Sequence, residues 1–115
     1  MTANAPGQVC LMQGNEAIVR GAVEAGIHFA ASYPGSPSSQ VLGMLGKIAR
    51  ERGFYAEWSA NEVCAFQACT GASLAGARAL CVVKQNGLLC VADALHCAAQ
   101  AGVKGGLVIV SSDDP

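Results

Sequence analysis

The segments ARALCVVKQ (77–85) and GGLVIVSSDD (105–114) each carry a short, nearly continuous apolar run, and this constrains the fold more than any other feature. A strand with one wet face alternates apolar and polar residues. Continuous runs of four to eight apolar residues instead mark strands buried on both faces, as in a parallel sheet. Between the two runs lies GLLCVADALHCAAQAG (87–102), which reads as a helix. Strand, helix, strand is the unit that builds parallel sheets through right-handed crossovers.

The same unit repeats upstream. GNEAIVRGAVEAG (14–26) reads as a helix with Asn15 as a plausible cap and Gly26 as its terminator. IHFAASYPGSP then turns strand-like and stops at two prolines. QVLGMLGKIARERG follows, with Val41, Leu42, Leu45, Ile48 and Ala49 on one helical face before Gly53. FYAEWS (54–59) reads as a strand and ANEVCAFQACTGASLAG (60–76) as a helix. The predicted order is therefore αβαβαβαβ, an α/β chain whose parallel sheet is covered by helices on both faces. At 115 residues it is the size of one unit rather than two.

The composition narrows the function. Net charge is −1 and no Lys/Arg cluster occurs, so the chain has no electrostatic footprint for nucleic acid. The apolar runs are far shorter than the ~20 residues that cross a bilayer. The N-terminus MTANAPGQVC has neither a basic stretch nor an apolar one, and a cytoplasmic protein is expected. The six cysteines, at 10, 64, 69, 81, 90 and 97, sit in Ala, Val and Leu runs without a C-x-x-C pair, and are expected to be small buried hydrophobes. Cys64 and Cys69 would lie about 140° apart on a helix, which does not suit a metal or cluster site made by this chain alone.

In parallel sheets ligands gather beyond the carboxyl ends of the strands. Three loops of this chain reach that rim: YPGSPSS, SANE and KQNG. In the first, Gly35 permits close approach of a ligand to the backbone and Ser36 offers a hydroxyl. Pro37 would begin a helix whose N-terminus favours a carboxylate. The plainer reading is a rigid connector whose serines cap the helix. Glu62 is the second candidate. It stands among Trp58, Val63, Ala65 and Phe66, and the next charge along the chain is Arg78. A first-turn acid beside Ser59 or Asn61 as cap would explain it through the helix dipole. Apolar neighbours that withdraw water from the carboxyl group also suit it to proton transfer.

Three longer stretches carry a resemblance. GNEAIVRGAVEAGIHFAASYPGSPSSQV, EWSANEVCAFQACTGASLAGARALCVVKQNGL and AGVKGGLVIVSSDDP together resemble the start of the alpha subunit in indolepyruvate-type members of the thiamine-diphosphate-dependent 2-oxoacid:ferredoxin oxidoreductase family. The resemblance implies that residues 14–115 are the N-terminal part of a pyrimidine-binding domain with flavodoxin-like layering, incomplete as a domain, behind a tail at 1–13. It implies an enzyme that oxidatively decarboxylates indolepyruvate or another arylpyruvate to acyl-CoA and CO2 and passes electrons to ferredoxin. Glu62 then matches the glutamate that hydrogen-bonds N1′ of the cofactor aminopyrimidine and promotes loss of the thiazolium C2 proton.

On the same basis Gln85 and Asn86 are expected to touch the cofactor, and Ser36, Gly35 and Lys84 the 2-oxo acid. Gln85 stands where arylpyruvate-type relatives are expected to carry a histidine. The Mg2+ and [4Fe-4S] sites are expected elsewhere in the enzyme. The partners implied are the remaining alpha-subunit domains, a beta subunit, ferredoxin and coenzyme A, in an oligomer, with the chain inactive by itself. Two other readings remain: a domain of a nonoxidative thiamine-dependent decarboxylase, and a noncatalytic α/β assembly module.

Overall fold

The computed structural model describes residues 6–114. Residues 1–5 of the expected 1–13 tail and Pro115 of the expected 14–115 domain lie outside the described residues.

The chain runs α1 (Gly14–Glu24), β1 (Phe29–Ser32), α2 (Ser39–Arg52), β2 (Tyr55–Trp58), α3 (Glu62–Leu74), β3 (Ala79–Lys84), α4 (Gln85–Cys90), α5 (Ala92–Ala101) and β4 (Leu107–Ser112). The four strands form one parallel sheet in the order β2-β1-β3-β4. From β1 the chain moves one way to β2, and afterwards the other way to β3 and β4. Right-handed crossovers must therefore place α2 on one face and α3 and α5 on the other.

The core shows this division. On β3, Leu80 and Val82 pack with Val19, Val41, Leu42 and Leu45 of α1 and α2. The alternate residues Ala79, Cys81 and Val83 pack with Phe66, Cys69, Val91 and Ala98 on the opposite face. Period-two alternation thus feeds two cores at once, which is why ALCVV contains no polar residue. Phe66 is the largest fully buried side chain. It anchors α3 over β1 and β3.

Five local expectations need correction. The run in β4, expected to be buried on both faces, lies at the sheet edge with no fully buried residue and Val108 56% exposed. The cap of α1 is Gln13, paired with Glu16 in a reciprocal capping box, and not Asn15. Asn15 instead donates from Nδ2 to Pro37 O and Gln40 Oε1, both at 3.1 Å, tying α1 to the start of α2. Helix α2 begins at Ser39, so Pro37 precedes the helix rather than opening it. The expected helix over 87–102 is two helices meeting at Val91, which leaves helical geometry (φ −92°, ψ 3°) with its side chain fully buried. Finally, of the six cysteines only Cys69 and Cys81 are buried, whereas Cys64, Cys90 and Cys97 are exposed. Apolar neighbours in sequence do not bury a thiol when the helix turns it outward.

Among the described residues no helix is long and apolar enough to cross a membrane.

Candidate cofactor-side site at the β1/β3 switch point

The strand order makes β1 and β3 neighbours whose outgoing connections diverge, one to each side of the sheet. That divergence opens a crevice at their carboxyl ends, the usual ligand position in such sheets. Each predicted rim loop reaches it or its border.

The loop after β1 is held by its serines. Ser38 Oγ and Ser39 Oγ donate to Gly35 O at 2.9 and 2.8 Å, and Ser39 Oγ accepts from Gly35 N at 2.9 Å. The connector role therefore falls to Ser38 and Ser39, and Ser36 stays exposed outside that network. Gly35 makes its close approach to the chain itself: a Cβ there would stand 3.1 Å from Lys84 Cβ. Its lack of a side chain lets the first loop lie against the end of β3.

The turn after β3 carries Lys84, Gln85 and Asn86. Lys84 Nζ lies 2.8 Å from Asp114 Oδ2, and Gln85 Nε2 donates to the same oxygen at 3.4 Å. Asn86 is exposed. Asp114 escaped the sequence reading. The only trace of it was the acid pair closing SSDDP, which gave no hint of a partner across the sheet.

Glu62 is the first residue of α3. The cap is Asn61, whose Oδ1 accepts from Cys64 N at 2.8 Å; Ser59 does not take this role. A capping-box acid would stand at the third helical position, so Glu62 is not engaged in capping. Among the described residues no hydrogen bond or salt bridge uses its carboxylate, which is half-buried and lies against Gly87 of α4. A partly sheltered carboxylate without a partner, next to a helix backbone that offers no side chain, can hydrogen-bond the edge of one flat nitrogen heterocycle. That donor set fits an aminopyrimidine. It does not fit a metal diphosphate, and among the described residues no group of three potential ligands gathers.

Two other grooves lie away from this crevice. One of about 250 Å3 is lined by Met12, Arg20, Met44 and Lys47, and another of about 260 Å3 lies between α1 and β4.

Fold and crevice define the class: a parallel α/β unit that presents a lone acid at a topological switch point, the arrangement of a nucleotide-like cofactor domain. Residues 20–110 match the family model "Pyruvate flavodoxin/ferredoxin oxidoreductase, thiamine diP-bdg", and the chain belongs to this thiamine-diphosphate-binding family.

Among its relatives, the indolepyruvate oxidoreductase subunit IorA of Archaeoglobus fulgidus is 47% identical over 97% of this chain and 19% of its own length. The same subunit of Pyrococcus horikoshii is 43% identical over 96% of the chain and 17% of its own. The 2-oxoglutarate synthase subunit KorA of Archaeoglobus fulgidus is 38% identical over 77% of the chain and 26% of its own. The chain thus spans about a fifth of the length of the indolepyruvate relatives. In structure it is similar to 2-oxoglutarate:ferredoxin oxidoreductase from Magnetococcus marinus, solved with 2-oxoglutarate, coenzyme A and succinyl-CoA bound. The TM-score is 0.81 at 24% identity, over 90% of this chain and 18% of that one, a likeness of fold.

Proposed function

We propose that this chain forms the aminopyrimidine side of a thiamine-diphosphate site in a 2-oxoacid:ferredoxin oxidoreductase of the indolepyruvate type. The observation that carries the reading is Glu62: a half-buried, unpartnered carboxylate at the first position of α3, beside the switch-point crevice. Likeness to indolepyruvate subunits, at 38 to 47% identity over 95 to 97% of the chain, extends further along it than that to a 2-oxoglutarate synthase subunit, 38% over 77%, which supports an arylpyruvate substrate.

Bound thiamine diphosphate supplies the carbon nucleophile and electron sink that release of CO2 from a 2-oxo acid requires. Glu62 holds a proton against N1′ of the aminopyrimidine. Gln85 and Asn86, on the turn after β3, contact the same ring. Ser36 is free of the serine network that fixes its loop and offers its hydroxyl to the substrate carboxylate, with Gly35 setting the loop's height over Lys84. Lys84, held by Asp114 at the same rim, borders the substrate side. The diphosphate with its Mg2+, the [4Fe-4S] clusters, and the surfaces for coenzyme A and ferredoxin belong to the remaining alpha-subunit domains and a beta subunit of a cytoplasmic oligomer.

The test is Glu62→Gln in the assembled enzyme. A positioned proton-transfer group is worth roughly 10² to 10⁴ in rate. Exchange of the cofactor C2 proton, followed by NMR, should slow by that order with the fold intact, and unchanged exchange would refute the role.

A further inference from the structure

Gly87 lies in the first turn of α4 and is buried. A Cβ built on it would stand 2.7 Å from Glu62 Cγ, 3.1 Å from Oε1 and 3.3 Å from Cδ. Glycines in the interiors of other helices show nothing of the kind: Gly46 of α2 and Gly71 of α3 face open space within 4 Å. Alanine is the better helix former, so propensity alone would favour it at position 87. The obstacle is the Glu62 side chain, which lies flat along the backbone that Gly87 leaves bare.

Glu62 has little freedom to retreat as a whole. Its backbone is fixed where Asn61 Oδ1 caps Cys64 N, and one turn later Phe66 is locked in the core. Only its side-chain torsions can yield. Because the contact includes Cγ and not merely the carboxylate tip, a swing of the terminal group does not relieve it. The side chain would have to leave for another staggered well, about 120° away, and the carboxylate would leave with it.

We propose that Gly87 is a positioning residue for Glu62: the missing Cβ selects the rotamer that points the carboxylate into the crevice. The inference rests on the preceding reading of Glu62 as the acid facing the aminopyrimidine. It adds a position that neither the motif reading nor the hydrogen bonds single out.

The test compares Gly87→Ala, Glu62→Gln and their combination in the assembled enzyme, with Gly71→Ala as control. Misplacing a reacting group by an ångström can cost about 10²-fold, so Gly87→Ala should slow C2-proton exchange by roughly that factor. Added to Glu62→Gln it should slow exchange no further, since nothing remains for it to position. In the cofactor-free protein, the 13C carboxyl resonance of Glu62, assigned by its loss in Glu62→Gln, should shift in Gly87→Ala and stay in place in Gly71→Ala.

If Gly87→Ala fails to fold, Gly87→Ala/Glu62→Ala decides the matter, because removing Cγ vacates the space. Recovery of the melting temperature of Glu62→Ala supports the proposal, and a pair that stays unfolded overturns it. It is also overturned if Gly87→Ala leaves both exchange and the resonance unchanged, or if its loss multiplies with that of Glu62→Gln. If Glu62→Gln itself leaves exchange unchanged, the cofactor role of Glu62 falls, and the positioning role falls with it.

Discussion

Lys84 Nζ and Asp114 Oδ2 stand 2.8 Å apart, a bond between the carboxyl ends of neighbouring strands β3 and β4. The register pairs Lys84 with Ser112, so Asp114 reaches back from just beyond its strand to close the rim. With side chains 29% and 46% exposed, the pair is screened by water, and such pairs contribute about 0 to 1 kcal/mol. Asp114→Asn should therefore lower unfolding free energy by no more than about 1 kcal/mol, less at high salt, in denaturant titrations. A larger loss would mean that Asp114 holds the rim by more than this bond.

Gly105 should tolerate no side chain. Its Cβ would fall 2.0 Å from Ala77 O, a backbone atom that cannot swing aside. Gly105 N also donates to Ser73 O at 2.8 Å, and Ser73 Oγ donates to Gly105 O at 2.6 Å, which pins the segment to α3. Gly105→Ala is expected to cost about 3 kcal/mol or more, the upper range for overpacking, whereas Gly71→Ala should be neutral or slightly stabilising. Thermal unfolding of the two variants side by side checks this.

On the proposed substrate role of Ser36, Ser36→Ala in the complete enzyme should remove one hydrogen bond to a charged carboxylate. Such bonds are worth about 1.5 to 3 kcal/mol, or roughly tenfold to 150-fold in kcat/KM. The loss should be equal for several 2-oxo acids, because all share the carboxylate, and cofactor affinity should hardly change. Steady-state kinetics with a series of side chains would expose any other pattern.

Thiol labelling should divide the cysteines. The neighbouring Cys81 thiol, and then burial, push the Cys69 thiol up from its ordinary value of 9.0, and Cys69 Sγ donates to Leu80 O at 3.4 Å. At mildly alkaline pH, Cys64, Cys90 and Cys97 should react with iodoacetamide while Cys69 and Cys81 stay protected until the chain unfolds. The sign for stability follows. The folded thiol stays protonated where the unfolded one ionises, so this contribution is full below pH 9.0 and declines as pH rises above it.

Much of this protein is written locally. Continuous apolar runs such as ALCVV require a strand covered on both faces, and helical spacing in Val41, Leu42, Leu45 and Ala49 requires a one-faced helix. These periodicities place the strands read at 54–59, 77–85 and 105–114 within two residues of β2, β3 and β4, because they follow from backbone geometry alone. Glu62 stands out for a similar reason: a single charge in an apolar stretch departs from the local pattern.

Where the pattern was silent, tertiary structure decided. Helix α4–α5 breaks at Val91, a β-branched residue with no proline or glycine beside it, and the buried position of its side chain exists only once the sheet has formed. The cysteines divide according to which way each helix face turns. Strand order, too, is a matter of long-range pairing. It sets β3 beside β1 rather than β2, and so brings KQNG against YPGSPSS and the start of α3.

The sequence by itself determined the element order, the parallel sheet, and the three loops that gather at its rim, because each depends on periods of two and 3.6 residues read over short spans. Only the tertiary structure decided that Gly35 lies against Lys84 and Gly87 against Glu62. Both are contacts across a missing side chain between residues far apart in the chain. A glycine in sequence states that space is left empty, and the fold alone determines what fills it.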